Sequence, residues 1–205
     1  MPSSEQHPTL NKAEPPIALH TRAEDNLRFI RSTMERAGTF TAVPGWGGVA
    51  MGVTAAVTAA LAHGRSEQQW LAIWLGEAAI AFVIAAVAVA RKARRAQVMV
   101  FGTAGRRFWL GFASPAIACA ALTMALYQAG LFALLPALWM LLYGAAVVAG
   151  GCNSTRIVPL MGVAFMVIGI AALWTPTGWN DVLLATSFGA LHIAFGYRIA
   201  RKHGG

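Results

Sequence analysis

Negative charge is scarce in this chain of 205 residues: there are 8 acidic side chains against 16 lysines and arginines, and beyond Glu67 the acids are Glu77 and Asp181 alone. Charged residues of both signs make up 12% of the sequence and apolar residues 57%. A soluble domain carries about twice that share of charge, so this composition excludes an ordinary water-soluble fold. Cysteine is almost missing as well. Cys119 and Cys152 lie in or beside apolar segments without a CxxC spacing, which excludes a disulfide framework or a thiolate metal centre. Serine, cysteine, histidine and carboxylate groups never gather at one depth of the apolar segments, so no catalytic set, metal site or cofactor site is expected. The formal charge of +8 suggests nucleic acid at first sight. Recognition of nucleic acid needs a basic face on a soluble module, which the sequence does not offer, and the cations are matched instead to anionic lipid headgroups.

What is abundant is uninterrupted apolar sequence, with a mean hydropathy of +0.57. Residues 1–20 carry four prolines among polar residues and are expected to be disordered. Residues 21–43 form a juxtamembrane helix and connector. Thr21 with Glu24 makes a capping box, and Ala23, Leu27, Ile30, Met34 and Ala37 fall in one stripe up to Gly38. This amphipathic helix is expected on the cytoplasmic side, against lipid, a protein partner or a second copy. Nothing in residues 1–43 has the apolar core of a signal peptide, so the first hydrophobic segment is expected to remain as an anchor.

Six apolar stretches follow, near 44–63, 70–90, 108–128, 131–150, 157–174 and 181–199. Each approaches the ~20 residues that a helix needs to cross hydrocarbon. Runs of this length exclude a barrel of short alternating strands, because a lipid-facing backbone must bond within its own helix. The fold class is therefore all-α: a polytopic six-helix transmembrane bundle of three antiparallel hairpins, in which neighbours in sequence are neighbours in space. With the N-terminus inside, every lysine and arginine except Arg65 falls on the cytoplasmic side. They include Arg91, Lys92, Arg94, Arg95, Arg106, Arg107, Arg156, Arg201 and Lys202, the expected headgroup contacts. That bias predicts both termini in the cytoplasm. Frequent arginine and alanine associate the chain with a GC-rich bacterium and hence with its inner membrane. Asn153-Ser154-Thr155 has the form of a glycosylation acceptor, but this topology places it in the cytoplasm. The glycine-rich run Gly102–Arg107 lacks the lysine and the strand–helix context of a phosphate loop.

The chain also resembles itself. At one constant offset Met51-Gly52-Val53 matches Met161-Gly162-Val163, Ala59 falls on Gly169, Ala79 on Gly189 and Ala86 on Gly196. Gly144, Gly151 and Arg156 repeat the spacing of Gly189, Gly196 and Arg201 in the middle hairpin. Small residues two turns apart permit close backbone approach, on which helix association in lipid depends, and Gly48 with Gly52 forms a GxxxG step of the same kind. Gly162, Gly169, Leu173, Pro176, Gly189 and Gly196 together resemble the glycine and proline skeleton of small six-helix bacterial membrane proteins of the HdeD acid-resistance type. The resemblance covers the last hairpin. It implies a fold and a role in envelope stress, and no catalytic residues.

Ionisable groups inside membrane spans are costly and so become functional candidates. Glu77 is about 10 Å deep and His192 about 16 Å deep at 1.5 Å per residue. Two readings stand. In one, the pair forms a proton- or cation-linked site of a small transporter, each group adjusting the other's ionisation. In the other, Glu77 hydrogen-bonds Ser187 or Thr186 and His192 donates to a backbone carbonyl, leaving a non-enzymatic scaffold, accessory or stress-associated subunit.

Overall fold

A computed structural model describes residues 22, 24–30, 40–97 and 99–203. The chain divides into two units, Met1–Gly38 and Thr39–Gly205. In the first, residues 24–30 are helical, and Arg28 pairs with Asp25 at 3.5 Å on an exposed surface. The expected disordered tail, and the rest of the 21–38 stripe, lie outside the described residues.

Among its described residues the second unit is helical and contains no strand. Its helices are α1 (Gly45–Ala62), α2 (Glu67–Ala96), α3 (Thr103–Gln128), α4 (Leu135–Gly151) and α5 (Ile157–Ala172). A last span joins α6 (Asn180–Leu184), a π-helical segment Ala185–Leu191 and α7 (His192–His203). Five helices are long and apolar enough to cross a membrane: α1, α2, α3, the stretch Phe132–Gly151 and the last span from Thr177 to Lys202. The remaining expected span, α5, is apolar but has 16 residues, a length of about 24 Å.

Local chemistry sets the helix ends. The Ser66 hydroxyl accepts from the Gln69 amide and starts α2. Gln97, in the left-handed conformation, closes the same helix. Between α3 and α4, Gly130 takes φ +69° and allows the chain to reverse in a few residues. The 30 residues of α2 extend about 45 Å, more than the thickness of a bilayer's hydrocarbon layer, about 30 Å.

Packing departs from a simple row of hairpins. The predicted partners α1 with α2 and α3 with α4 do lie side by side, but the most extensive contacts are α4 with α5 and the last span with α1. The reason is the distribution of glycine. Gly45, Gly48 and Gly52 of α1 face Ala200, Gly196 and Gly189 in antiparallel register, and Gly144 and Gly151 of α4 face Gly162 and Val158 of α5. Gly169 lies against Leu141. These seams bring backbones together where α5 and the last span, the expected third hairpin, meet less extensively.

The main core gathers Ala55, Trp74, Met140, Phe165 and Leu184 between the helices. A second cluster closes one end of the bundle around Phe40, which is fully buried with Ala42, Val89, Ala93 and Phe108. Here residues 40–44 form an extended strap. The Phe40 amide donates to the Asn153 carbonyl at 2.7 Å, the Ser154 hydroxyl donates to the Phe40 carbonyl at 2.7 Å, and Lys92 donates to the Val43 carbonyl at 2.9 Å.

Candidate functional site

Antiparallel register determines which polar groups meet. Gly47 approaches Ala88, Gly45 approaches Ala200 and Gly150 approaches Phe108, so the ends carrying Arg91–Arg95, Arg106–Arg107, Arg156 and Arg201–Lys202 share one end of the bundle. All these arginines and Lys202 are exposed, and Lys92 is half-buried beneath the strap. At the other end, Asp181 accepts from Trp70 Nε1 at 2.7 Å and lies 3.1 Å from His63 Nδ1. Trp70 also stacks on Trp139 with ring centroids 5.4 Å apart.

Between the two ends lie two buried polar centres. Glu77 belongs to the face of α2 that meets α1, and its carboxylate engages two threonines one turn apart on that helix. Thr54 Oγ1 is 2.8 Å from Oε1, and Thr58 Oγ1 is 3.1 Å from Oε2. The Thr54 hydroxyl also lies 2.9 Å from the Met51 carbonyl. An ionised Glu77 therefore accepts from both threonines, whereas a protonated one donates to Thr54 while that hydroxyl bonds Met51. The expected partners are not used: Ser187 donates to the Leu183 carbonyl at 2.8 Å, and Thr186 to the Val182 carbonyl at 2.7 Å. Both hydroxyls bond back to their own helix, a local option that serine and threonine always carry.

His192 is buried at the first residue beyond the π-helical segment, and its Nε2 lies 2.7 Å from the Tyr143 hydroxyl of α4. Phe165 packs edge-on at 5.3 Å between ring centroids and Phe188 lies nearly parallel to the imidazole at 6.1 Å. Nδ1 is buried without a hydrogen-bond partner. Of Tyr143 and His192 one donates to the other, the tyrosine hydroxyl to Nε2 or Nε2–H to the hydroxyl, according to the tautomer of the ring. The hydrogen bond goes to tyrosine rather than to the expected backbone carbonyl.

Glu77 and His192 each bond elsewhere and form no ion pair with one another. Trp74, one turn before Glu77, lies against Phe188 at 6.5 Å between ring centroids, so an aromatic layer separates the two centres. The Trp74 indole N–H is also buried without a partner.

The centre that the sequence concealed is Tyr143. A tyrosine in an apolar run reads equally as an interfacial anchor, and Trp139 shares that ambiguity, although its Nε1 donates to Thr123 Oγ1 at 2.9 Å. Trp174 and Trp179 are exposed at the Asp181 end. Among the described residues no three histidines, cysteines or carboxylates come together in a way that could hold a metal ion. Compared with protein-family models, with curated proteins and with solved structures, the chain matches none of them.

Proposed function

We propose that this chain is a non-enzymatic membrane subunit, a scaffold or accessory protein of the bacterial inner membrane. In this reading six helices cross the bilayer and both ends are cytoplasmic. The observation that carries the reading is the state of Glu77: both carboxylate oxygens are engaged by threonines of the adjacent helix, so the costliest group in the bundle acts as an interhelical tie. The gathering of arginines at one end supports the orientation. For the short α5, Arg156 at one end and the exposed Trp174 at the other are side chains that favour headgroups. The 21–38 segment is the part that contacts a partner or the lipid surface. The likeness of the last hairpin to the HdeD type extends the reading to envelope stress.

Deleting residues 21–38 is expected to reduce partner recovery after in-cell crosslinking more than Glu77→Gln does. Equal or greater loss from Glu77→Gln would sink the scaffold reading. Orientation is tested separately by maleimide labelling of single cysteines placed at Arg65 and Arg156, with Cys119 and Cys152 replaced. Only the first should react with an impermeant reagent in intact cells.

A second reading, a small proton- or cation-coupled transporter, is favoured by the Tyr143–His192 dyad. Its buried Nδ1 is unpaired and adjoins a π-helical segment, a feature frequent at functional sites. The original pairing of Glu77 with His192 gives way here to His192 with Tyr143. Proteoliposomes containing the protein would then show pH-driven flux that His192→Gln abolishes. Flux unchanged in that variant removes this reading.

A further inference from the structure

Where α1 enters the bundle and α2 leaves it, the two helices cross closely enough that a Cβ on Gly47 would stand 2.5 Å from the Ala88 methyl. That crossing forms the floor of an open groove of about 470 Å³. Its walls are apolar, with Trp46, Val83 and Val87 exposed along them, and Arg91, Lys92 and Arg95 line its basic end. No carboxylate lines it. Trp46 is held from behind by Tyr197, edge-on at 6.3 Å between ring centroids. Tyr197 in turn accepts from Arg201 Nε at 2.9 Å.

The cations of the groove are not equivalent. Lys92 donates to the strap at Val43. Arg91 and Arg95 lie one turn apart on α2 and so share a face, and among the described residues neither has a hydrogen bond or an ion pair. Two unpartnered guanidiniums offer planar donors suited to a phosphate. Directly below them the apolar walls suit an acyl chain.

We infer that this groove is a binding site for one anionic glycerophospholipid, its phosphate on Arg91 and Arg95 and an acyl chain along Trp46, Val83 and Val87. The inference rests on the membrane-spanning reading above and goes beyond it. Diffuse attraction would treat every cytoplasmic arginine alike, whereas the groove singles out two of them. Basic pockets between helices on the cytoplasmic side are the expected place for such recognition.

The test is native mass spectrometry of the full chain released from detergent, titrated with phosphatidylglycerol and, separately, phosphatidylcholine. Phosphatidylglycerol is expected to occupy one site per chain in preference to phosphatidylcholine. Arg91→Gln with Arg95→Gln should weaken it by roughly tenfold or more, since each cation near an anionic surface contributes a several-fold factor. Arg106→Gln with Arg107→Gln should leave the occupancy unchanged. Val87→Trp, which fills the groove and keeps its charge, should lower phosphatidylglycerol occupancy too. Circular dichroism of each variant separates lost binding from lost folding. Equal weakening by both arginine pairs overturns the groove in favour of diffuse attraction. Full displacement by millimolar inorganic phosphate overturns it in favour of a soluble anion. Extraction of the chain from membranes by alkaline carbonate would overturn the membrane reading along with it, whereas a carbonate-resistant chain without lipid preference overturns the groove alone.

Discussion

Gly144 and Gly162 face each other so closely that each excludes a side chain on the other: a Cβ on Gly144 would stand 2.7 Å from the Gly162 carbonyl oxygen, and one on Gly162 would stand 2.6 Å from that of Gly144. Both obstacles are backbone, which cannot swing aside as a side-chain tip can. Gly162→Ala should therefore force α4 and α5 apart and cost about 1–3 kcal/mol. Gly76→Ala makes the contrast, because nothing lies within 4 Å of its added methyl, and it should leave stability unchanged or raise it by up to about 1 kcal/mol. Unfolding in detergent, followed by circular dichroism, reads both. Equal behaviour of the two variants would contradict the seam.

Tyr143→Phe removes the partner of His192 Nε2 and leaves that nitrogen buried and unpaired, at a cost of about 1–3 kcal/mol. Converting both residues to phenylalanine removes the orphan as well. The double variant should therefore be more stable than Tyr143→Phe alone in the same unfolding experiment. A simple sum of the two single effects would show that the bond contributes nothing.

Thr58→Val leaves Glu77 Oε2 without its donor and should cost about 1–3 kcal/mol. Repeating the substitution in a Glu77→Gln background should cost less, because the amide replaces a charge-capable acceptor with a group able to bond elsewhere. This double-mutant cycle isolates the pair. A cycle that closes with zero coupling argues against the interhelical tie.

At the base of the bundle, Phe40→Ala should lose about 3–5 kcal/mol, the usual range for emptying a fully buried phenylalanine site. Ser154→Ala should lose about 1 kcal/mol through one hydrogen bond. Asn153→Ala should be silent as far as the strap is concerned, since the bond it supplies comes from its carbonyl. Limited proteolysis before Phe40, compared across the three variants, provides an independent readout.

How much of this was readable in advance depends on the range of each interaction. Helix positions were legible because unbroken apolar length is a property of consecutive residues: the 44–63 and 108–128 stretches fall on α1 and α3. The small residues that form seams were legible too, because spacing alone places Gly144 and Gly151 on one face. Their partners were not. Gly52 meets Gly189 across about two thirds of the chain, and nothing in local sequence distinguishes that pairing from one within a hairpin. The polar centres divide in the same way. Glu77 stands out in an apolar run, but Thr54 and Thr58 resemble any helical threonines that bond their own backbone. Asn153-Ser154 has the pattern of a modification signal, and its use as an anchor for Phe40 depends on a fold that brings residues 40 and 154 together.

The π-helical segment Ala185–Leu191 has a consequence for the register of the last span. A π turn accommodates one residue more than an α turn, so contraction of this segment to α geometry would leave one residue to be absorbed elsewhere in the helix. Displacement by one residue corresponds to about 1.5 Å of travel and a swing of about 100°. Leu184, before the segment, is held in the core, so the movement would be taken up beyond it, carrying His192 away from Tyr143 and turning Tyr197 away from Trp46. The last span is thereby geared: one local change of winding would act together on the buried imidazole and on the aromatic wall further along the same helix.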